Sequence, residues 1–112
     1  MKLTVIISLS LAVSGCAFSN AKLAKDAQTK LVGLSKAKVL TCAGAPARSA
    51  SADGVEYLTY VRPADEDRGM CAATFVIEQG AVVALTYAGD ITRGATRGAQ
   101  CAELVRGCMP EN

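Results

Sequence analysis

Cys71-Ala72-Ala73-Thr74-Phe75-Val76-Ile77-Glu78, then Gln79-Gly80, then Ala81-Val82-Val83-Ala84-Leu85-Thr86-Tyr87-Ala88 decide the fold. The first run alternates cleanly. Cys71, Ala73, Phe75 and Ile77 point one way, and Ala72, Thr74, Val76 and Glu78 the other, which is the period of a half-buried strand. Gln79-Gly80 is a two-residue connection with glycine second, suited to a tight hairpin. The return strand is expected to place Val83, Leu85 and Tyr87 on one face.

Upstream, residues 55–62 (Val-Glu-Tyr-Leu-Thr-Tyr-Val-Arg) are rich in β-formers but alternate poorly, and Pro63 ends them. Asp65-Glu66-Asp67-Arg68 reads as a solvated turn, since a calcium loop interleaves its ligands with glycine at set offsets. Residues 45–54 hold Ala, Arg, Ser, Asp, Gly and Pro and read as a loop. Before them, Ser35 is a good N-cap for a short helix over 36–43, with Val39 and Leu40 facing inward. Gly44 stops it and Pro46 forbids an immediate restart. An earlier helix over 21–32, capped by Ser19 or Asn20, carries Leu23, Ala27 and Leu31 as its stripe and ends at Gly33.

Downstream, residues 89–98 are a glycine-rich loop. Gly94 to Gly98 lack the Lys-Ser/Thr of a phosphate-binding loop. A last helix from Arg97 or Ala99 to Arg106 aligns Cys101, Leu104, Val105 and Cys108 at i, i+3, i+4 and i+7. The order predicts an α+β fold of two layers: N-terminal helices and a C-terminal helix packed on a three-stranded antiparallel meander.

Cys42, Cys71, Cys101 and Cys108 are spaced by 29, 30 and 7 residues. Zinc sites pair their ligands closely, so two disulfides are expected instead of a metal. Four cysteines allow three pairings. On one continuous helix the Cα atoms of Cys101 and Cys108 would lie about 10 Å apart, too far to bridge. Each then reaches back to Cys42 or Cys71, stapling the last helix to the sheet or to the second helix. A helix ending at Gly107 would reopen a local Cys101–Cys108 bridge.

The N-terminus has one charge, Lys2, then only apolar, Ser and Thr residues from 3 to 13, then Val13-Ser14-Gly15-Cys16. That layout is a secretory signal, too short for a membrane span. Its last four residues resemble the lipobox of bacterial lipoproteins: aliphatic, small, Gly or Ala, then Cys. The resemblance implies a signal over 1–15 and acylation of Cys16. It further implies an anchor and short tether over 16–21 and an exported domain over 22–112. Three acyl chains, at about 0.8 kcal/mol per buried CH₂, hold a protein permanently at a membrane. In enterobacterial lipoproteins Asp after the cysteine retains the chain in the inner membrane; Ala17 here implies the outer membrane, facing the periplasm.

Leu34-Ser35-Lys36-Ala37-Lys38-Val39-Leu40, Ala43-Gly44-Ala45-Pro46 and Glu56-Tyr57-Leu58-Thr59-Tyr60, followed by a hairpin tipped by Gly80, are similar to the SmpA/OmlA type of small lipoprotein. That family includes a subunit of the outer-membrane β-barrel assembly machinery. The similarity covers residues 30–88 and implies two helices on a three-stranded sheet, a scaffolding role, a barrel-assembly partner and no catalysis. The four further cysteines and the C-terminal helix depart from the family pattern.

The charges are segregated. Six basic residues between 22 and 48 face one acid, Asp26, whereas seven acids between 53 and 90 face Arg62 and Arg68. Basic residues at this spacing are commonly the solvated face of an exposed helix; the other reading is attraction of the tethered end to anionic headgroups, by about 1 kcal/mol each near the surface. With net charge +2 nothing points to nucleic acid. The chain has no His, the commonest general base and zinc ligand, and no Cys-x-x-Cys redox pair. The expectation is a non-enzymatic interaction or structural lipoprotein without cofactor or metal, its contact surface built on Tyr57, Tyr60, Arg93 and Arg97. The alternative is a periplasmic binding or inhibitory module acting on a soluble partner.

Overall fold

A computed structural model of the chain describes residues 15–66, 69–89 and 98–110, with the backbone alone for 15–18. Two helices come first, α1 (Gly15–Lys30) and α2 (Lys36–Ala43). Four strands come next: β1 (Arg48–Ala52), β2 (Val55–Arg62), β3 (Cys71–Glu78) and β4 (Ala81–Gly89). The C-terminal segment is a short helix, α3 (Ala102–Val105), between two 3₁₀ turns, Ala99–Cys101 and Arg106–Cys108. The sheet is antiparallel with order β1-β2-β3-β4. The fold is therefore α+β, with a four-stranded meander in place of the expected three strands.

The additional strand is β1, where a loop was expected. Its partner β2 pairs Ala52 with Val55, leaving Asp53-Gly54 as the connection. Both connecting residues have positive φ, 52° and 81°. This is the backbone of the tight hairpin turn that favours Asp-Gly. Gln79-Gly80 makes the same turn at 54° and 78°, with a non-glycine residue held in the left-handed region.

The first helix also differs. It is already helical at Gly15, the first described residue, so neither Ser19 nor Asn20 caps it, and the residues expected to form a tether are helical. Ala24, Ala27 and Leu31 are buried along one side. Ser35 caps α2 as expected, its hydroxyl accepting from the Lys38 amide at 3.1 Å. Val39 is buried, but Leu40 is exposed, because the eight-residue helix offers the sheet only a narrow stripe.

In β2 the even positions face the helices: Leu58 and Tyr60 lie in the core with Ala73, Phe75, Ile77, Val82 and Leu85 of the next strands. A register shift between Val76 and Ile77 sets the inward residues of β4. Ile77 pairs with Val82 and Val76 with Ala84, so Val83 is unpaired. This bulge reverses the phase. Val82, not Val83, joins Leu85 and Tyr87 on the helix side: Val82 is 1% exposed and Val83 43%.

The core is small, so covalent links matter. Cys71–Cys101 joins the start of β3 to the C-terminal segment and lies with Ala24 beneath α1. Cys42–Cys108 joins the end of α2 to the other end of that segment. The segment is thus stapled to the sheet at one end and to α2 at the other. It is not one continuous helix, and Cys108 nevertheless reaches α2. Gly107 permits this: a Cβ there would sit 2.7 Å from the carbonyl oxygen of Cys42.

Candidate interaction surface

Strand alternation gives the sheet two unlike faces. Leu58, Phe75 and Leu85 occupy one face and belong to the helix-covered core. On the other face the register aligns Arg48, Thr59, Thr74 and Thr86 across all four strands, and beside them Ala50, Tyr57, Val76 and Ala84. None of these eight belongs to the core cluster. Thr59 and Thr74 share a hydroxyl–hydroxyl hydrogen bond of 2.9 Å, so the row is satisfied within the sheet. Between Arg48 at one margin and Glu78 at the other, the face holds only aliphatic residues, threonines and Tyr57. Such a surface has no acid or base at its centre.

Tyr57 is 38% exposed, flanked by Ala50 and Val76. Tyr60 is not part of this surface. Three residues on in a strand, it points to the opposite side and is 4% exposed. Its ring meets Phe75 edge to face with centroids 5.8 Å apart, and its hydroxyl donates to the Gly44 carbonyl at 2.8 Å. Burial raises its pKa. Tyr60 thus holds the end of α2 to the sheet and is a core residue. Arg93 and Arg97 lie outside the described residues, as do Asp67 and Arg68 of the charged connection.

Cys16 falls in the first turn of α1. From there the helix runs toward the body, where the Asn20 amide oxygen accepts from the Arg106 guanidinium and Tyr87 donates its hydroxyl to the Ala24 carbonyl. Lys22 pairs with Asp26 at 2.7 Å, and this hydrogen bond holds the Asp26 carboxyl below its usual range. No described helix is long and apolar enough to cross a membrane. The thiols of Cys42, Cys71, Cys101 and Cys108 are all consumed in disulfides.

Sequence reasoning missed Arg62. It is a buried cation at the end of β2, paired with Asp65 and Glu103. It also donates to the carbonyls of Pro63 at 3.0 Å and Gly69 at 3.3 Å. The Asp65 hydrogen bond leads in raising its pKa, with Glu103 adding to it. One side chain thereby ties the charged connection and α3 to the sheet. Its position beside Pro63 and an acidic run was the only sequence signal.

Comparison with protein-family models, with curated proteins and with solved structures finds no match to this chain.

Proposed function

We propose that this chain is a non-catalytic lipoprotein, acylated at Cys16 and held at the periplasmic side of the outer membrane, where its sheet face docks a protein partner. The observation that carries this reading is the cysteine closing the apolar N-terminal run, in Val13-Ser14-Gly15-Cys16. The two disulfides support an oxidising compartment such as the periplasm. The helical course of α1 adds a physical consequence. Buried Ala24 lies eight positions after Cys16, about 12 Å at about 1.5 Å per residue. The lipid then holds the domain on a stiff post, and the lysines at positions 22 and 25 stand near the headgroups.

The docking surface in this reading is the face around Tyr57, with Ala50, Val76 and Thr86, the exposed end of the threonine row. Its lack of central charge and its exposed aromatic suit a protein surface better than a small anion. The resemblance to the SmpA/OmlA type supports a barrel-assembly or envelope-integrity role. The test is a photo-crosslinker placed at Tyr57 in the full-length chain in growing cells. Capture of a subunit of the barrel assembly machinery, lost when Val76→Arg is added, is the expected result. Capture of a soluble periplasmic enzyme, with loss of its activity, would replace this reading with an inhibitory one.

A further inference from the structure

The two edges of the sheet are treated differently. The first half of the outer edge of β4 is covered by the α1–α2 connection. Gly33 donates to the Val82 carbonyl and the Val82 amide donates to the Leu34 carbonyl, both at 2.8 Å, and Lys36 donates to the Gly80 carbonyl at 2.9 Å. The Gln28 side chain covers the Leu85 carbonyl at 2.9 Å. β1 is the opposite edge, and all five of its residues are exposed. Among the described residues no strand pairs with its outer side. Edge strands are ordinarily blunted by proline, bulges or charges along their length. Arg48-Ser49-Ala50-Ser51-Ala52 has one charge, at its start, and four small residues.

The Asp53-Gly54 turn fixes which groups are free. In a two-residue hairpin of this type the flanking residues, Ala52 and Val55, form the hydrogen-bonded closing pair. Alternation then turns the amides and carbonyls of Ser49 and Ser51 away from β2. A segment with two such residues around a central alanine is complementary to itself. When two copies run antiparallel about a two-fold axis at Ala50, Ser49 of each faces Ser51 of the other. All four outward groups on each copy are used, in four main-chain hydrogen bonds. Arg48 then lies opposite Ala52 of the second copy, beside the turn that carries its Asp53. The positive start of each strand meets the negative end of the other, twice.

We propose that β1 is a homodimerisation edge: two copies of this chain join β1 to β1 into one eight-stranded antiparallel sheet. The occupant is a second copy because the strand's charges and hydrogen-bonding groups match under two-fold rotation, as an isologous interface demands. Joining the edges also extends the Tyr57 face across both copies. The dimer does not depend on acylation at Cys16.

The test uses the full-length chain with Ala50→Cys. A non-hydrogen-bonded pair on a two-fold axis brings its Cα atoms to about 4.5 Å, within disulfide reach. The expected result is a covalent dimer on non-reducing gels that the parent chain, which already carries Cys16, does not form. Ser51→Pro added to Ala50→Cys removes one outward amide from each copy and leaves the β2 ladder intact, so the crosslinked fraction should fall about tenfold or more. Peptide mapping of the two native disulfides reports whether that variant is folded. Should it not fold, Ala50→Lys, which opposes two like charges on the axis, must convert a dimer to a monomer in sedimentation of the detergent-solubilised chain. A monomeric Ala50→Cys chain with both native disulfides formed would overturn the proposal. So would equal crosslinking of Val83→Cys, or crosslinking of Ala50→Cys to a different protein only.

Discussion

Cys42, in the last turn of α2, is bonded to Cys108, 66 residues later, with their Cα atoms 4.9 Å apart. The second bond, Cys71–Cys101, closes a span of 30 residues. On chain-entropy grounds each contributes about 4 kcal/mol, slightly more for the longer span. Replacing both partners of either by alanine should lower unfolding free energy by about 2–4 kcal/mol in urea titration. The two should also open in order under graded reduction. Cys42 is half-buried, whereas Cys71 and Cys101 have no exposed surface. Alkylation and mass mapping should find positions 42 and 108 labelled first, and 71 and 101 only as the protein unfolds.

Gly107 is coupled to the first of these bonds. An alanine there would place its Cβ against the Cys42 carbonyl oxygen, with backbone that must move. Gly107→Ala should cost about 1–3 kcal/mol in the disulfide-intact protein. In a Cys42→Ala, Cys108→Ala background the segment can shift, and the same substitution should cost clearly less. A double-mutant cycle in urea measures this coupling.

Tyr87 sets an alkaline limit. Its hydroxyl donates to the Ala24 carbonyl of α1, and burial raises its pKa well above the ordinary value. The folded state therefore holds this proton more tightly than the unfolded chain does. The associated stability is fully present below about pH 10, the value for a free phenol, and is lost as pH rises through the folded pKa. Thermal melts should show Tm falling above about pH 10. Tyr87→Phe should lose about 1 kcal/mol at neutral pH through the missing hydrogen bond but decline less steeply in alkali.

Arg62 holds three segments through polar contacts that lysine cannot reproduce in number. Arg62→Lys should lower Tm, and Glu103→Gln should lower it less, since Asp65 and two carbonyls remain with the guanidinium. Hydrogen exchange should show the loss concentrated at the end of β2 and in α3.

The hairpin of β3 and β4, the Ser35 cap and the glycine stops were legible because each has a local cause in neighbouring residues. β1 was not. Ser49, Ala50, Ser51 and Ala52 have no apolar face to alternate, since both sides of that strand are exposed. The Asp53-Gly54 dipeptide beside Val55 was the available signal, and it outweighed the composition of the segment. Val83 misled because a bulge is a pairing event, invisible in one strand alone. Which of Tyr57 and Tyr60 faces the core was hidden because both faces of β2 mix apolar and polar residues, Val55, Tyr57, Thr59 and Val61 against Glu56, Leu58, Tyr60 and Arg62; their spacing of three already placed them on opposite faces. The first turns of α1 were missed because Ser19 and Asn20 look like caps and residues 15–21 carry no apolar stripe of their own. The first turns of that helix extend a segment anchored further along the chain, where Ala24, Ala27 and Leu31 are buried.

Acylation of Cys16 is the claim on which the membrane location rests, and the intact mass and N-terminal peptide of the protein recovered from membranes test it most directly. The expected product is a chain starting at residue 16, heavier than its polypeptide by the acyl groups and released to the soluble fraction only as Cys16→Ser. A mature chain starting elsewhere, or an unmodified Cys16 thiol in a protein that fractionates as before, would contradict it.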